Sequence, residues 1–194
     1  YDAAKGAVCV DGTDVKDYTY RQLRKKVGIV PQNAVLFSGT IRENIKWGKP
    51  EATDQEIEEA LIIAQAKDFV DSKQEGLDTK VSQGGKNFSG GQKQRLTIAR
   101  ALVGKPEILI LDDSASALDF ATDARLRQAI ADRTEGMTVF IVSQRAASIK
   151  NADRILVLDD GRQAGLGTHE ELLENCQVYR EICLSQLSEE EVKR

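Results

Sequence analysis

Ile108-Leu109-Ile110-Leu111-Asp112-Asp113 is an apolar run that ends in paired carboxylates, and it follows closely on Asn87-Phe88-Ser89-Gly90-Gly91-Gln92-Lys93-Gln94-Arg95. The run reads as a buried strand that carries two acids to a sheet edge. Carboxylates delivered there suit Mg²⁺ and an attacking water. The upstream stretch reads as the start of a helix. Its two glycines remove side chains, so backbone N–H groups can come close to a phosphate at the positive end of that helix. Ser89-x-x-Gln92 is also a capping box, and Gly90-Gly91 alone would serve as a turn. Asp112-Asp113 alone would serve equally well as a solvated turn. The order and close spacing of the two stretches, with Ser116-Ala117-Leu118-Asp119 next, favour nucleoside triphosphate chemistry over those plainer readings.

Outward from this centre, helical and strand patterns alternate. The Ser89 helix runs to about Val103, with Gly104 as its stop and Pro106 beyond. A helix from about Phe120 to Arg133 and a strand over Thr138–Val142 follow the acidic pair. Short alternating segments, Arg154–Leu158 and Gln163–Leu166, read as two more strands around an Asp160-Gly161 hairpin turn. Glu170 to Leu187 reads as helix and the charged end as frayed. On the N-terminal side, Ala7-Val8-Cys9-Val10 and Val27-Gly28-Ile29-Val30 read as strands, the second stopped by Pro31. From Thr53 to Ser72 the pattern is helical, with Ile57, Leu61, Ala64 and Val70 on the apolar face and a capping box at Thr53/Glu56. Gly76 to Gly85 reads as loop.

Strands alternating with helices imply a parallel-type α/β core. Residues 53–103 show helices and no strand, which predicts a helical subdomain inserted in that core. The expected division is 1–52 for the N-terminal part of the core, 53–103 for the helical subdomain, 104–187 for the C-terminal part of the core, and 188–194 for a frayed tail.

The 194 residues suffice for one domain with a real core. A net charge of −4 argues against nucleic acid as the main partner. Arg21, Arg24, Lys25 and Lys26 form the dense basic cluster and read as a solvated face. The three cysteines, Cys9, Cys176 and Cys183, lack metal spacing. Their odd number fits a reducing compartment, and Cys9, in an apolar run, is expected in the core. No apolar run approaches the ~18 residues a membrane span needs, and no secretory signal is present.

With these residues in view, the chain resembles the nucleotide-binding domain of ABC transporters of the exporter type. Phe88-Ser89-Gly90-Gly91-Gln92 resembles that family's signature motif, with Phe in place of the commoner Leu. Ile108–Asp112 resembles its Walker B strand and Ser116-Ala117-Leu118-Asp119 its D-loop. Val30-Pro31-Gln32, with Leu36-Phe37-Ser38-Gly39-Thr40-Ile41 after it, resembles the exporter Q-loop. Asn151-Ala152-Asp153-Arg154-Ile155 and Gly167-Thr168-His169-Glu170-Glu171-Leu172 resemble the C-terminal part of such domains. The likeness covers nearly the whole chain and implies a mostly parallel, P-loop NTPase-like sheet core with an inserted helical subdomain.

The resemblance implies ATP and Mg²⁺ as ligands. It places Asp112 and Gln32 on the metal, Gln32 also in the catalytic set, and Asp113 at the general base. Ser89, Gly90, Gly91 and Gln92 would close over the ATP of a second nucleotide-binding domain paired head to tail, with Asp119 at the seam. The partners implied are that second domain, of a different chain, and the exporter's transmembrane domain, with no nucleic acid. The setting implied is the cytoplasmic face of the plasma membrane. The loop Thr79-Lys80-Val81-Ser82-Gln83-Gly84-Gly85 lacks the acidic residue many exporters carry there; coupling to the membrane domain would run through Ser82 or Gln83.

Two departures stand out. No G-x-x-x-x-G-K-[ST] phosphate loop occurs. The family places it before the segment that Tyr1–Gly6 resembles, so the chain reads as part of a longer polypeptide, inactive by itself. The other departure is at the catalytic positions. The family's usual Glu is Asp113, and its usual switch-loop His is Gln144, within Val142-Ser143-Gln144-Arg145. Asp retracts the carboxylate by about 1.5 Å, and a misplacement of about 1 Å can cost about 100-fold in rate. Gln can donate a hydrogen bond but cannot carry a proton's charge. Both point to a degenerate ATP site in a heterodimeric exporter. The alternatives are a regulatory module that binds ATP without turnover and a non-transport ATPase of DNA repair or chromosome organisation. The second usually carries a long coiled coil between its motifs, and no heptad stretch intervenes here.

Overall fold

The computed structural model describes residues 3–114, 116–134 and 136–186. The expected frayed tail at 188–194, the expected helix end at Leu187 and the opening Tyr1-Asp2 lie outside the described residues. The chain forms two compact units, Tyr1–Phe140 and Ile141–Arg194.

The first unit begins with a two-strand ribbon, β1 (Cys9–Val10) and β2 (Thr13–Asp14), then α1 (Tyr20–Lys26) and β3 (Val27–Val30). Next come β4 (Gly39–Thr40), α2 (Ile41–Lys46), α3 (Asp54–Ile63), α4 (Lys67–Asp71) and β5 (Lys80–Val81). It continues with α5 (Gly90–Leu102), β6 (Ile108–Asp112) and α6 (Phe120–Arg133), and β7 (Thr138–Val142) straddles its C-terminal boundary. The sheet order is β3-β6-β7, with β3 parallel to β6 from Val27↔Ile108 to Val30↔Leu111. Alternate residues of β6 point into the core, so Leu109 and Leu111 are buried, together with Val30 of β3 and Leu96 and Ile98 of α5. Helix α5 seats directly on this sheet. A Cβ added to Gly28 of β3 would lie 3.0 Å from the Ala101 carbonyl.

The second unit holds α7 (Ala146–Ile149), the antiparallel hairpin β8 (Ile155–Asp159) and β9 (Arg162–Gly167), then α8 (His169–Asn175) and α9 (Gln177–Gln186). Its core is Ala146, Ile155, Val157, Leu172, Cys176, Tyr179 and Cys183. Asp160 (φ 45°) and Gly161 (φ 73°) make the hairpin turn through left-handed backbone, as the Asp-Gly pair predicts.

Several expectations need correction. The stretch 53–72 is two helices. Gln65 is left-handed (φ 56°) and the Ala66 N–H returns to the Leu61 carbonyl at 2.8 Å, which ends α3 and redirects the chain. Ile57, Leu61, Ala64 and Val70 are nevertheless all buried, so the apolar face survives the break. Residues 53–103 do contain a strand: β5 pairs antiparallel with β4, Thr40 opposite Lys80. Two residues are too few to show alternation in a sequence. Cys9 is exposed rather than core, because it sits in the β1–β2 ribbon opposite Asp14. The C-terminal helix breaks at Cys176, whose backbone is extended, into α8 and α9. Helices α1 and α2 were not expected, although both start on a capping box, Thr19/Gln22 and Thr40/Glu43.

Helix α2 crosses α5 at Gly48, just beyond its end. A Cβ at Gly48 would collide with the Arg100 carbonyl and come within 3.0 Å of Val103 Cγ1. Backbone cannot yield as a side chain can. Gly48→Ala is therefore expected to destabilise the fold by about 1–3 kcal/mol, read as a lower denaturation midpoint. An unchanged midpoint would show that the crossing relaxes freely. Among the described residues, no helix is long and apolar enough to cross a membrane.

Candidate active site

Parallel pairing of β3 with β6 sets the geometry. Val30 lies opposite Leu111, so the residues that follow, Pro31-Gln32 and Asp112-Asp113, leave the sheet side by side at its carboxyl end. Crevices at the carboxyl ends of parallel strands are where open α/β sheets place their ligands. There the Gln32 amide Nε2 donates to Asp113 Oδ2 at 3.3 Å, across 81 residues of sequence. Asp112 is exposed and Asp113 half-buried. Asp113 has φ 43°, a left-handed backbone that Asp tolerates better than most residues. Its carbonyl is fastened by Ser116, which donates its N–H at 3.2 Å and its hydroxyl at 2.8 Å. The Gln32–Asp113 pair, with Asp112 next to it in sequence, is a set of hard-oxygen donors. It suits Mg²⁺, which takes one or two carboxylates and leaves its remaining positions to water and phosphate.

The signature stretch forms the predicted helix start. Ser89 Oγ accepts from the Gln92 N–H at 3.2 Å, and Gln92 Oε1 accepts from the Ser89 N–H at 3.1 Å. The capping-box reading is thus realised, and the two side chains satisfy each other at the N-terminus of α5. The glycines differ in their surroundings. A Cβ at Gly91 would lie 3.2 Å from the Ala117 carbonyl, whereas a Cβ at Gly90 would meet nothing within 4 Å. Packing among the described residues therefore explains Gly91 and gives no reason for Gly90.

Asp119 caps α6. Its carboxylate accepts from the Thr122 N–H at 2.9 Å and the Thr122 hydroxyl at 2.8 Å. The Thr122 backbone bond, followed by the hydroxyl bond, holds this carboxyl below the usual range. Gln144, in the second unit, is exposed, and its backbone carbonyl accepts from Gln186 Nε2 at 2.7 Å. The single histidine, His169, is buried in the same unit, with Nδ1 2.8 Å from the Tyr179 hydroxyl. It is a core residue of that unit, and burial pushes the Tyr179 hydroxyl up.

Sequence reasoning missed three organisers. Asn44 is buried, and its side chain holds both the N–H and the carbonyl of Phe37 at 2.8 Å. Arg100 reaches Asn44 and the Val35 carbonyl from α5. Together they shape the turn that follows Gln32. Asn87 ties the loop before the signature, accepting from the Ser82 N–H at 3.0 Å and donating to the Lys80 carbonyl at 2.8 Å. An Asn four residues into a capping-box helix, facing an Arg one turn from the end of another, is a weak signal. Neither side chain announces a partner more than fifty residues away.

A family model described as ABC transporter matches residues 1–116. An uncharacterized ABC transporter ATP-binding protein of Mycobacterium tuberculosis is 46% identical over 96% of this chain and 32% of its own length. A beta-(1→2)glucan export ATP-binding/permease protein of Rhodopseudomonas palustris is 42% identical over 100% of this chain and 32% of its own length. The solved structure of a bacterial Atm1-family ABC exporter with ATP bound superposes with a TM-score of 0.93, at 39% identity, over 97% of this chain and 33% of that one. The chain thus spans about a third of the length of the curated relatives it matches. From the family match, the order of the motifs and the parallel β3–β6 pairing that brings Gln32 to Asp113, it follows that this chain belongs to the ABC transporter family and has its α/β ATPase fold.

Proposed function

We propose that this chain is the ATP-binding and ATP-hydrolysing domain of a membrane exporter and contributes a degenerate ATP site to a heterodimer. The observation that carries this reading is the meeting of Gln32 and Asp113 at the carboxyl ends of adjacent parallel strands. Asp112 and the Gln32 amide oxygen would hold Mg²⁺, which neutralises charge on the triphosphate when bound. Asp113 orients and deprotonates the attacking water, from a position about 1.5 Å short of where a Glu would act. Gln144 donates a hydrogen bond toward the γ-phosphate and cannot add positive charge. Ser89, Gly90, Gly91 and Gln92 serve the ATP of a second domain paired head to tail, and the open face of Gly90 supports that role. Asp119, already used as a helix cap, lies at the seam. The domain works at the cytoplasmic face of the plasma membrane, attached to a transmembrane domain, and ATP-driven closure and reopening of the pair drives alternating access.

The 194 residues contain no phosphate loop, whose backbone N–H cradle and Lys supply most triphosphate affinity. MgATP titrated into this chain alone is therefore expected to bind with a dissociation constant weaker than about 1 mM. Micromolar affinity by calorimetry would contradict the assignment of the remaining residues.

A further inference from the structure

Gln94 plays no part in the chemistry described above, yet it is fully buried on α5, two residues beyond Gln92. Its Nε2 donates to the Pro31 carbonyl at 3.4 Å, across 63 residues of sequence. A carbonyl can only accept, so the amide must present its nitrogen there. Its Oε1 is then left buried with no hydrogen-bond partner among the described residues. An unpaired buried oxygen is unfavourable, and a methionine of similar length would fill the space without one. An amide at this position thus weakens the core and in exchange reaches the backbone immediately before Gln32. Gln32 in turn holds Asp113 at 3.3 Å.

We infer that Gln94 is a positioning residue that ties the signature helix to the Q-loop, so that displacement of α5 moves Gln32 against Asp113. Helix α5 is wedged at both ends. Near its C-terminus the Ala101 carbonyl lies where a Gly28 Cβ would come within 3.0 Å, and at its N-terminus Gly91 abuts the Ala117 carbonyl. A helix so confined moves with the strand beside it unless the bond at Pro31 gives way. The inference rests on the proposed reading in one respect. In a head-to-tail pair the N-terminus of α5 faces the partner's nucleotide, while Gln32 and Asp113 face this chain's own. Gln94 then lies on the path between the two sites, and one amide–carbonyl bond carries the state of one to the other.

The test is a double-mutant cycle in the full-length transporter, assembled with its partner in lipid nanodiscs. Gln94→Met is expected to leave Tm at or above wild type and ATP affinity within about twofold, and to lower single-turnover hydrolysis at this chain's own site, measured with the partner's general base neutralised, roughly tenfold. The Gln94→Met/Gln32→Ala double variant should be no slower than Gln32→Ala alone, because both act through the same contact. Without nucleotide, the amides of residues 32–38 should exchange roughly tenfold faster in Gln94→Met. Gln94→Leu serves for the same comparisons should the methionine variant not fold. A lowered Tm with multiplicative rate effects would mark Gln94 as merely structural and overturn the inference, as would unaltered exchange at 32–38. A wild-type assembly that hydrolyses no ATP would sink the exporter reading instead, and the exchange measurement would still decide whether the tie exists.

Discussion

Gly90→Ala in this chain is expected to leave its folding intact and to cut ATP turnover of the assembled exporter by about 100-fold. The two halves of that expectation have separate origins. Gly90 is the first residue of α5, and an added Cβ meets nothing within 4 Å among the described residues, so none of them resists it. Alanine is also a better helix residue than glycine by up to about 1 kcal/mol, so Tm should hold or rise. The loss arises outside the chain. In the proposed head-to-tail pair, a methyl group at the helix N-terminus would stand where the partner's phosphate approaches the backbone N–H groups, and a displacement of about 1 Å at a reacting centre can cost about 100-fold. Were capping the sole purpose of this stretch, Ser89 and Gln92 would still satisfy each other and turnover would not change. Steady-state ATPase assays and thermal melts of the same preparation separate the two cases.

The second large effect runs the other way. Asp113→Glu combined with Gln144→His is expected to speed single-turnover hydrolysis at this chain's own site by about 100-fold, measured with the partner's general base neutralised. The longer side chain advances the carboxylate by about 1.5 Å, past its present contact with Gln32. Histidine at 144 adds the option of a charged donor to the γ-phosphate. The gain has a structural cost. Asp113 is left-handed (φ 43°), a conformation short polar residues adopt more readily than Glu, so Asp113→Glu should lose about 1 kcal/mol of stability. No acceleration from the pair would mean that the site is slow for another reason, and would favour the regulatory reading in which ATP is bound and not turned over.

What the sequence made legible follows from the range of each signal. Helix starts at Thr53 and Ser89 are written within four residues as capping boxes, and both form. The Asp160-Gly161 turn is a two-residue statement, and the hairpin forms around it. Leu109 and Leu111 declare a buried strand by themselves, and they are buried. The motif order pointed to the family and to Asp113 and Gln32 as neighbours in chemistry. Their meeting at 3.3 Å depends on the register of β3 against β6, which neither strand encodes alone. Other features were hidden for the same reason. Gln65 reads as an ordinary helical residue, and its left-handed turn appears only because the chain must fold back over its own apolar face. Cys9 looked interior because its neighbours are apolar, but interior status requires a covering layer, and the β1–β2 ribbon shows none over it among the described residues. Gln94 and Asn44 are polar residues that nothing in their local sequence marks as interior. Their burial follows from how α5 and α2 pack.

The central claim is an asymmetry: this chain's intact signature serves a partner's ATP, while its own site is impaired. Vanadate trapping with a photoreactive ATP analogue, followed by identification of the labelled chain in the assembled exporter, tests it most directly. The account predicts that the trapped nucleotide is carried almost entirely by the partner and disappears when Gly90→Ala is introduced in this chain. Label shared equally between the chains, or label on the partner that survives Gly90→Ala, would contradict it.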